Sequence, residues 1–244
     1  MSSISISTRI SNTIGTYSPG SIFTYSDFNF PKEKALALAK SLSRLAEKGD
    51  IVRIGKGKYY KPRKTTFGNI KPDENQIIKL FTEKNDTKVG YLSGVNAFNR
   101  LGLTTQLSNV IVIATSNPQP EKEMSGYRIK FIKRDFEIEE NDVPLLQLLD
   151  AIRYIKKIPD ASPNNVLKVI ISKLKNLPAS KLKRFAKLAL NYNAATKAMV
   201  GALLESYAKE ISVASLYKSL NTFSIYEMKI SPSLLPNQSK WNIE

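Results

Sequence analysis

The sequence has 244 residues, of which 42% are hydrophobic and 24% are charged, a composition typical of a globular chain with one large domain or two to three small ones. It contains no Cys and no His, which excludes disulfides, thiolate zinc sites and every nucleophile–histidine arrangement. Its net charge of +16 favours a polyanionic partner such as DNA or RNA, although a basic surface is also common in proteins without one.

The first part of the chain predicts two short helices. Ile10 and Ile14 have helical spacing, so we expect a helix over 5–15, followed by turn residues. Residues 21–24 are expected to lead into the second helix. Thr24 and Asp27 resemble a capping box at its start, with Asp in place of the usual Glu.

A longer amphipathic helix is predicted over 31–48. Its apolar positions fall on one side, which predicts one buried face: Ala35, Leu38, Ala39, Leu42, Leu45 and Ala46. The opposite side carries small and charged residues: Glu33, Lys34, Ala37, Lys40, Ser41, Arg44 and Lys48. Pro31 fits the first helical position, and Gly49 fits a left-handed cap at the end.

A basic hairpin follows this helix. Residues 50–54 predict a strand, Gly55-Lys56-Gly57 a tight turn, and 58–61 a return strand. Helix, helix, longer helix and hairpin in this order predict a winged helix-turn-helix over residues 1–64, a segment that holds 12 Lys and Arg against 4 Asp and Glu. The alternative is an ordinary amphipathic helix with a solvated, Lys-rich face beside a connecting hairpin.

A helix with small and cationic residues on its exposed side fits the major groove of DNA. The side chains expected to face the base edges are those on that side: Lys34, Ala37, Lys40, Ser41 and Arg44. Phosphate contacts are expected from the cations around the helix and on the hairpin, or wing: Lys32, Lys48, Arg53, Lys56 and Lys58.

Residues 65–140 predict a small mixed α/β unit. Its charges balance, with 10 Lys and Arg against 10 Asp and Glu. A helix begins near Pro72, Ser93 is expected to cap another that ends at Gly102, and strands are predicted over 110–115 and 127–133. Its glycines match neither a Walker nor a Rossmann pattern.

Residues 141–244 predict a basic helical region, with 15 Lys and Arg against 7 Asp and Glu. Helices are expected over 142–157, 163–175, 179–192, 194–209 and 213–220. Positive charge concentrates around one helix junction, which is either a solvated face or a docking surface for nucleic acid or an acidic partner: Lys173, Lys175, Lys181, Lys183, Arg184 and Lys187. The tail is expected to pack back on the body.

Several classes of function are not expected. No apolar stretch approaches the roughly 20 residues of a membrane span, and the first residues lack a secretory signal, so we expect a cytoplasmic protein. The acidic clusters at Asp73-Glu74 and 137–140 are typical of a helix start and a solvated turn. We therefore expect no enzyme, no metal and no cofactor. The predicted fold class is α+β and mostly helical, with 65–244 as either two units or a single domain.

Three motifs resemble one family. The first is Leu42-Ser-Arg-Leu-Ala-Glu-Lys-Gly-Asp-Ile-Val-Arg-Ile-Gly-Lys-Gly-Lys-Tyr-Tyr-Lys-Pro. The second is Ser93-Gly-Val-Asn-Ala-Phe-Asn-Arg-Leu-Gly-Leu-Thr-Thr-Gln, and the third is Asn191-Tyr-Asn-Ala-Ala-Thr-Lys-Ala-Met-Val-Gly-Ala-Leu-Leu-Glu. In this order they resemble the AbiEi-type antitoxins of type IV abortive-infection toxin–antitoxin systems, over most of residues 10–210.

The resemblance implies a DNA-binding repressor that binds operator DNA, regulates its own operon and counters a separately encoded nucleotidyltransferase-like toxin, with or without direct contact. It carries no catalytic residues over to this chain. The segment through Asn29-Phe30-Pro31 departs from the family pattern, so the base-reading positions rest on helical geometry alone. The alternative is a protein-interaction module, in which the winged helix and the basic helices bind a protein or RNA.

Overall fold

The computed structural model describes residues 5–66, 68–84 and 87–244. The chain forms two compact units. The N-terminal unit comprises Met1–Phe81 with Lys122–Arg128, and the C-terminal unit comprises Thr82–Glu121 with Ile129–Glu244. Both contain helices and strands, so the α+β class is confirmed.

The N-terminal unit begins with helix α1, Ile6–Thr16, close to the predicted bounds. Ser5 caps it by accepting a hydrogen bond from the backbone N–H of Thr8. Ile10 and Ile14 are buried, as the helical spacing predicts.

Residues 21–24 lead into a short helix as predicted, but they do so as a strand. The sequence did not predict strand β1, Ile22–Thr24, because Phe23 lies opposite Tyr59 in a sheet that one local segment does not reveal. A short 3-10 helix, Tyr25–Phe28, follows it. The predicted capping box is confirmed, since the Asp27 carboxylate accepts a hydrogen bond of 2.6 Å from the Thr24 N–H.

Helix α2, Ala35–Glu47, begins later than predicted. Its approach is a 3-10 helix, Lys32–Lys34, in which the Lys34 N–H bonds to the Pro31 carbonyl three residues back. Leu38 and Leu42 are buried in the core as predicted. Ala35 is exposed, because the first residue of the helix projects beyond the core.

The hairpin after α2 is confirmed. Gly49 has φ of +73° and ends the helix, and strands β2, Val52–Gly55, and β3, Lys58–Tyr60, are antiparallel. The sheet order is β1-β3-β2. The core between this sheet and the two helices consists of aliphatic and aromatic side chains: Ile10, Ile14, Phe23, Phe28, Leu38, Leu42, Ile51 and Tyr59.

Three further elements complete this part of the chain. Strands β4, Arg63–Thr65, and β5, Gly68–Ile70, form a second antiparallel hairpin, and helix α3, Glu74–Thr82, follows.

The predicted strands over 110–115 and 127–133 are confirmed, and both belong to a four-stranded sheet. After the short pair β6, Glu83–Lys84, and β7, Thr87–Lys88, the elements are β8, Gly90–Ser93, α4, Gly94–Arg100, β9, Val110–Thr115, β10, Lys122–Met124, and β11, Tyr127–Lys133. The order in the sheet is β10-β11-β9-β8, and β8 is antiparallel to β9. Gly102, with φ of +75°, lies just beyond α4 as expected.

The helical region follows the prediction with shorter ends. The helices are α5, Val143–Arg153, α6, Pro163–Lys175, α7, Ala179–Ala189, α8, Ala194–Tyr207, and α9, Ala214–Lys218. The bounds of α6 are as predicted, and Ser162 caps it. Helix α5 ends at Arg153 and a 3-10 helix, Ile155–Lys157, replaces its last predicted turn.

The strands of the middle region share one core with these helices. Tyr91, Phe98 and Ala114 pack in the same cluster as the buried residues of α5 to α8. The strands and helices of the C-terminal unit therefore share one hydrophobic core.

The tail packs on the body, as expected. Trp241 is 1% exposed, and its Nε1 donates a hydrogen bond of 2.9 Å to Glu205 on α8. Gly201 is required at the contact, since a Cβ there would lie 2.1 Å from the Trp241 ring. The tail thus contributes to the core of the C-terminal unit.

Candidate nucleic-acid interface

The exposed side of α2 carries the cations that the sequence predicts. Lys40 and Arg44 are exposed, and Lys34 is exposed on the turn that precedes the helix. Ala37 and Ser41 are half-buried beside them. The predicted base-reading residues thus include three fully available cations and two small side chains on one flank of the helix.

One exposed residue on this helix was missed. Leu36 is 69% exposed, although its neighbour Leu38 is buried. Two residues correspond to about 200° around an α-helix, so Leu36 lies almost opposite the core. The helical spacing indicates that Leu36 is exposed, but because leucine is apolar it was not counted among the exposed residues of the helix.

The hairpin carries the second group of predicted residues. Arg53 and Lys56 are exposed, and Gly57, with φ of +66°, makes the turn beside Lys56. Lys58 is half-buried and its Nζ lies 4.7 Å from the centre of the Phe81 ring. Burial, and then the nearby charge of Lys122, lower the pKa of Lys58. Lys58 is therefore less available for a phosphate than Arg53 and Lys56.

The hairpin turn is held by an aromatic side chain that the sequence patterns did not reveal. Tyr25 lies against Gly57, where a Cβ would approach its ring to 3.1 Å. The Tyr25 and Tyr59 rings are 6.3 Å apart. Burial, and then the hydrogen bond with Tyr25, raise the pKa of Tyr59. Through these contacts Tyr25 links the hairpin turn at Gly57 to the buried Tyr59.

The remaining predicted phosphate contacts, Lys32 and Lys48, are exposed near the two ends of α2. None of the seven exposed cations on α2 and the hairpin pairs with an acidic side chain within the described residues: Lys32, Lys34, Lys40, Arg44, Lys48, Arg53 and Lys56. A surface with this excess of unpaired positive charge attracts a polyanion.

The predicted basic surface of the C-terminal unit is partly occupied. Arg184 bonds to Asp142 and lies 2.6 Å from Glu139, and these partners raise its pKa, the hydrogen bond with Asp142 most strongly. Lys181 donates to the Asn141 carbonyl. Within the predicted set, Lys183 and Lys187 are exposed, as is Lys175, whose Nζ lies 5.1 Å from the centre of the Tyr207 ring, and Lys173 is half-buried.

A buried polar cluster in the C-terminal unit was also missed. Asp150 on α5 is 0% exposed and accepts hydrogen bonds from Ser93 Oγ at 2.6 Å and Tyr192 OH at 2.9 Å. It also accepts from Tyr91 OH at 3.1 Å and pairs with the Arg134 guanidinium at 2.5 Å. Its partners come from β8, the end of β11 and the segment after α7, so no local sequence pattern could have shown the cluster.

The hydrogen bonds and the ion pair of this cluster join the elements from which its residues come, so its role is structural. Burial, and then the charge of Asp150, raise the pKa of Tyr91 and of Tyr192. Burial acts against the charge of Arg134, but Asp150 outweighs it, and the pKa of Arg134 is raised. Both tyrosines stay neutral and Arg134 stays charged. A pocket of about 260 Å³ adjoins the cluster, lined in part by Arg134, Arg153 and Tyr192.

Other sites are not indicated in the described part of the chain. It contains no group of three or more acidic side chains placed to hold a metal ion. None of its helices has the length and apolar character needed to cross a membrane.

Fold and site together define a mixed α/β protein with a cationic helix-and-hairpin surface. The chain belongs to a family of unknown function, DUF6088, whose model matches residues 9–177. No curated protein matches the chain significantly. The crystal structure of the RV2827C protein from Mycobacterium tuberculosis aligns with 90% of this chain and 83% of that chain, at 13% identity and a TM-score of 0.43.

Proposed function

We propose that the chain is a DNA-binding transcriptional repressor that acts as the antitoxin of a type IV toxin–antitoxin system. The observation that carries the DNA-binding part is the set of exposed cations on α2 and the hairpin that follows it, none of which forms an ion pair in the part of the chain that the structure describes. The proposed target is double-stranded operator DNA.

The order of elements in the N-terminal unit supports a winged helix-turn-helix. Helix α1, strand β1, a 3-10 turn, helix α2 and the β2–β3 hairpin follow one another, and β3 lies between β1 and β2. In that fold the second helix of the motif enters the major groove and the hairpin lies against the backbone. Here α2 and the hairpin supply the two corresponding cationic surfaces.

Base readout is assigned to α2. Arginine and lysine donate to the O6 and N7 acceptors of guanine, which suits Lys40 and Arg44, and Lys34 lies on the turn before them. Ala37 and Ser41 let the helix approach the bases closely. Phosphate contacts are assigned to Lys32, Lys48, Arg53 and Lys56, and Lys58 contributes less because of its place beside Phe81.

The first experiment is a mobility-shift assay on the DNA upstream of the reading frame, with the full-length protein. We expect Lys40→Ala with Arg44→Ala to abolish specific binding. The matched control is Lys168→Ala with Lys218→Ala, which removes two exposed cations from helices of the C-terminal unit, outside its predicted docking surface. If both double variants bind as the wild type does, α2 is not the reading helix.

The antitoxin part rests on the resemblance of the three sequence motifs to AbiEi-type antitoxins. From this resemblance, the C-terminal unit is the part of the chain that would counteract a nucleotidyltransferase-like toxin. Co-expression of the chain with a toxin encoded beside it should restore bacterial growth. A variant of the chain whose C-terminal unit is disrupted at the Asp150 cluster should not restore growth. Growth arrest that persists with the intact chain would reject this part alone.

A second candidate function is a protein-interaction module, and an exposed aromatic favours it. Phe223 is 93% exposed, so its ring lies in solvent, and its backbone N–H donates a hydrogen bond of 2.9 Å to Asn221 Oδ1. Ile225 nearby is also exposed. Exposed apolar groups of this kind occur at protein interfaces. A stable stoichiometric protein complex lost in Phe223→Ala, together with no affinity for DNA, would favour this function over the first.

A further inference from the structure

Leu36 is an exposed apolar residue on the cationic surface of α2. It is the second residue of the helix, and its side chain is 69% exposed while the core positions of the same helix are filled by Leu38 and Leu42. Burying a leucine stabilises a protein by roughly 1.5–3 kcal/mol, a gain that Leu36 forgoes in the free protein. Its side chain contributes little to the core.

The neighbours of Leu36 along the helix are cationic. Leu36, Lys40 and Arg44 are spaced by four residues each, which places them in one row, about 6 Å apart along the axis. All three are exposed. Leu36 is thus the apolar end of a row whose other members are positively charged.

This arrangement favours DNA over a second copy of the chain. Two copies that met through this row would bring Lys40 and Arg44 close to their own equivalents, and like charges oppose such a contact. A duplex offers the opposite charge. In its major groove the main apolar group is the C5-methyl of thymine.

We infer that Leu36 contacts the C5-methyl of thymine in the bound DNA and so sets a preference for thymine at that position. The inference rests on the proposed function. Residues in the first turns of a recognition helix contact the base edges, and Leu36 occupies such a position. Lys40 and Arg44, one and two turns further on, reach guanine or phosphate on the same side.

The experiment uses the full-length protein and a duplex selected from a random pool by binding to it. Each thymine in the selected sequence is replaced in turn by deoxyuridine, which lacks only the methyl group. We expect one or two adjacent replacements to weaken binding about fourfold, the effect of withdrawing one methyl group from a buried contact. Replacements elsewhere should have no effect.

Leu36→Ala supplies the second arm. This variant should bind the thymine and deoxyuridine duplexes equally, with an affinity close to that of the wild type for deoxyuridine. The control is Leu107→Ala, which removes an even more exposed leucine from the C-terminal unit, where Leu107 is 81% exposed. It should keep the fourfold difference. Circular dichroism and thermal unfolding check that both variants fold.

The outcomes separate the two proposals. If the protein binds a selected sequence but no deoxyuridine replacement changes its affinity, the thymine contact is rejected and the repressor function stands. The thymine contact is likewise rejected if Leu36→Ala retains the fourfold difference, or if it changes only self-association measured by sedimentation. Failure to enrich any sequence, with no affinity for duplex DNA, overturns both.

Discussion

Removal of the Asp150 carboxylate should strongly destabilise the C-terminal unit. Asp150→Ala leaves the Arg134 guanidinium, 5% exposed, without its counter-charge, and it leaves the hydroxyls of Ser93, Tyr91 and Tyr192 without their shared acceptor. Breaking a buried ion pair by removing one partner costs about 3–5 kcal/mol. A typical domain has only about 5–15 kcal/mol of stability, so this loss is a large fraction of the total.

Urea unfolding followed by tryptophan fluorescence measures the effect. The sequence has one Trp, and Trp241 is buried in the C-terminal unit, so its emission reports on that unit. We expect the free energy of unfolding to fall by about 3–5 kcal/mol in Asp150→Ala. Asp150→Asn should lose less, because the amide oxygen still accepts a hydrogen bond.

A double-mutant cycle tests the pairing itself. Arg134→Met combined with Asp150→Ala removes both charges, so the double variant should lose less stability than the sum of the two single variants. We expect a coupling energy of about 1–3 kcal/mol, as for residues in one network. The buried pairing is refuted if the two losses add, or if Asp150→Ala unfolds within about 1 kcal/mol of the wild type.

Three further predictions concern the tail and the hairpin. Gly201→Ala should destabilise the C-terminal unit by about 1–3 kcal/mol in the same fluorescence assay, because its Cβ would meet the Trp241 ring at 2.1 Å, and an unchanged midpoint would contradict this packing. Hydrogen bonding to Lys240 holds the pKa of Glu205 below its ordinary value, so Glu205 stabilises the folded state above about pH 4.5 and this contribution is lost as the pH falls through the lowered pKa. Glu205→Gln should flatten that pH dependence below pH about 5, and a curve parallel to the wild type would refute the assignment. Gly57→Ala should destabilise the N-terminal unit by about 1–2 kcal/mol, because φ is +66°, and a thermal unfolding midpoint equal to that of the wild type would argue against a strained turn.

Elements with a strong local pattern were predictable from the sequence. Helix α6 has a Ser cap, a Pro at its start and an uninterrupted apolar face, and its bounds are those expected. Strand β9 has a run of β-branched residues and was also predicted correctly. The bounds of α2 were less accurate, because Pro31 permits both an α-helical and a 3-10 start. Strand β1 was not predicted, because its partner β3 lies far along the chain.

The candidate site shows the same division between local and long-range information. Helical spacing predicted that Lys40 and Arg44 are exposed, but it also placed the exposed Ala35 on the buried face, and Leu36 was not identified as an exposed residue. The Asp150 cluster joins side chains up to 101 residues apart, a distance over which helix and strand periodicity carry no information.

The most direct test of the central claim is the salt dependence of duplex binding. Affinity for the upstream DNA is measured by fluorescence anisotropy over a range of salt concentrations, for the wild type and for Lys56→Ala. Each phosphate contact contributes about 0.9 to the slope of log affinity against log salt, so Lys56→Ala should weaken binding to all sequences about equally and reduce the slope by about that amount. An unchanged slope and affinity in Lys56→Ala, or no measurable binding by the wild type at moderate salt, would contradict a DNA-binding surface on α2 and the hairpin.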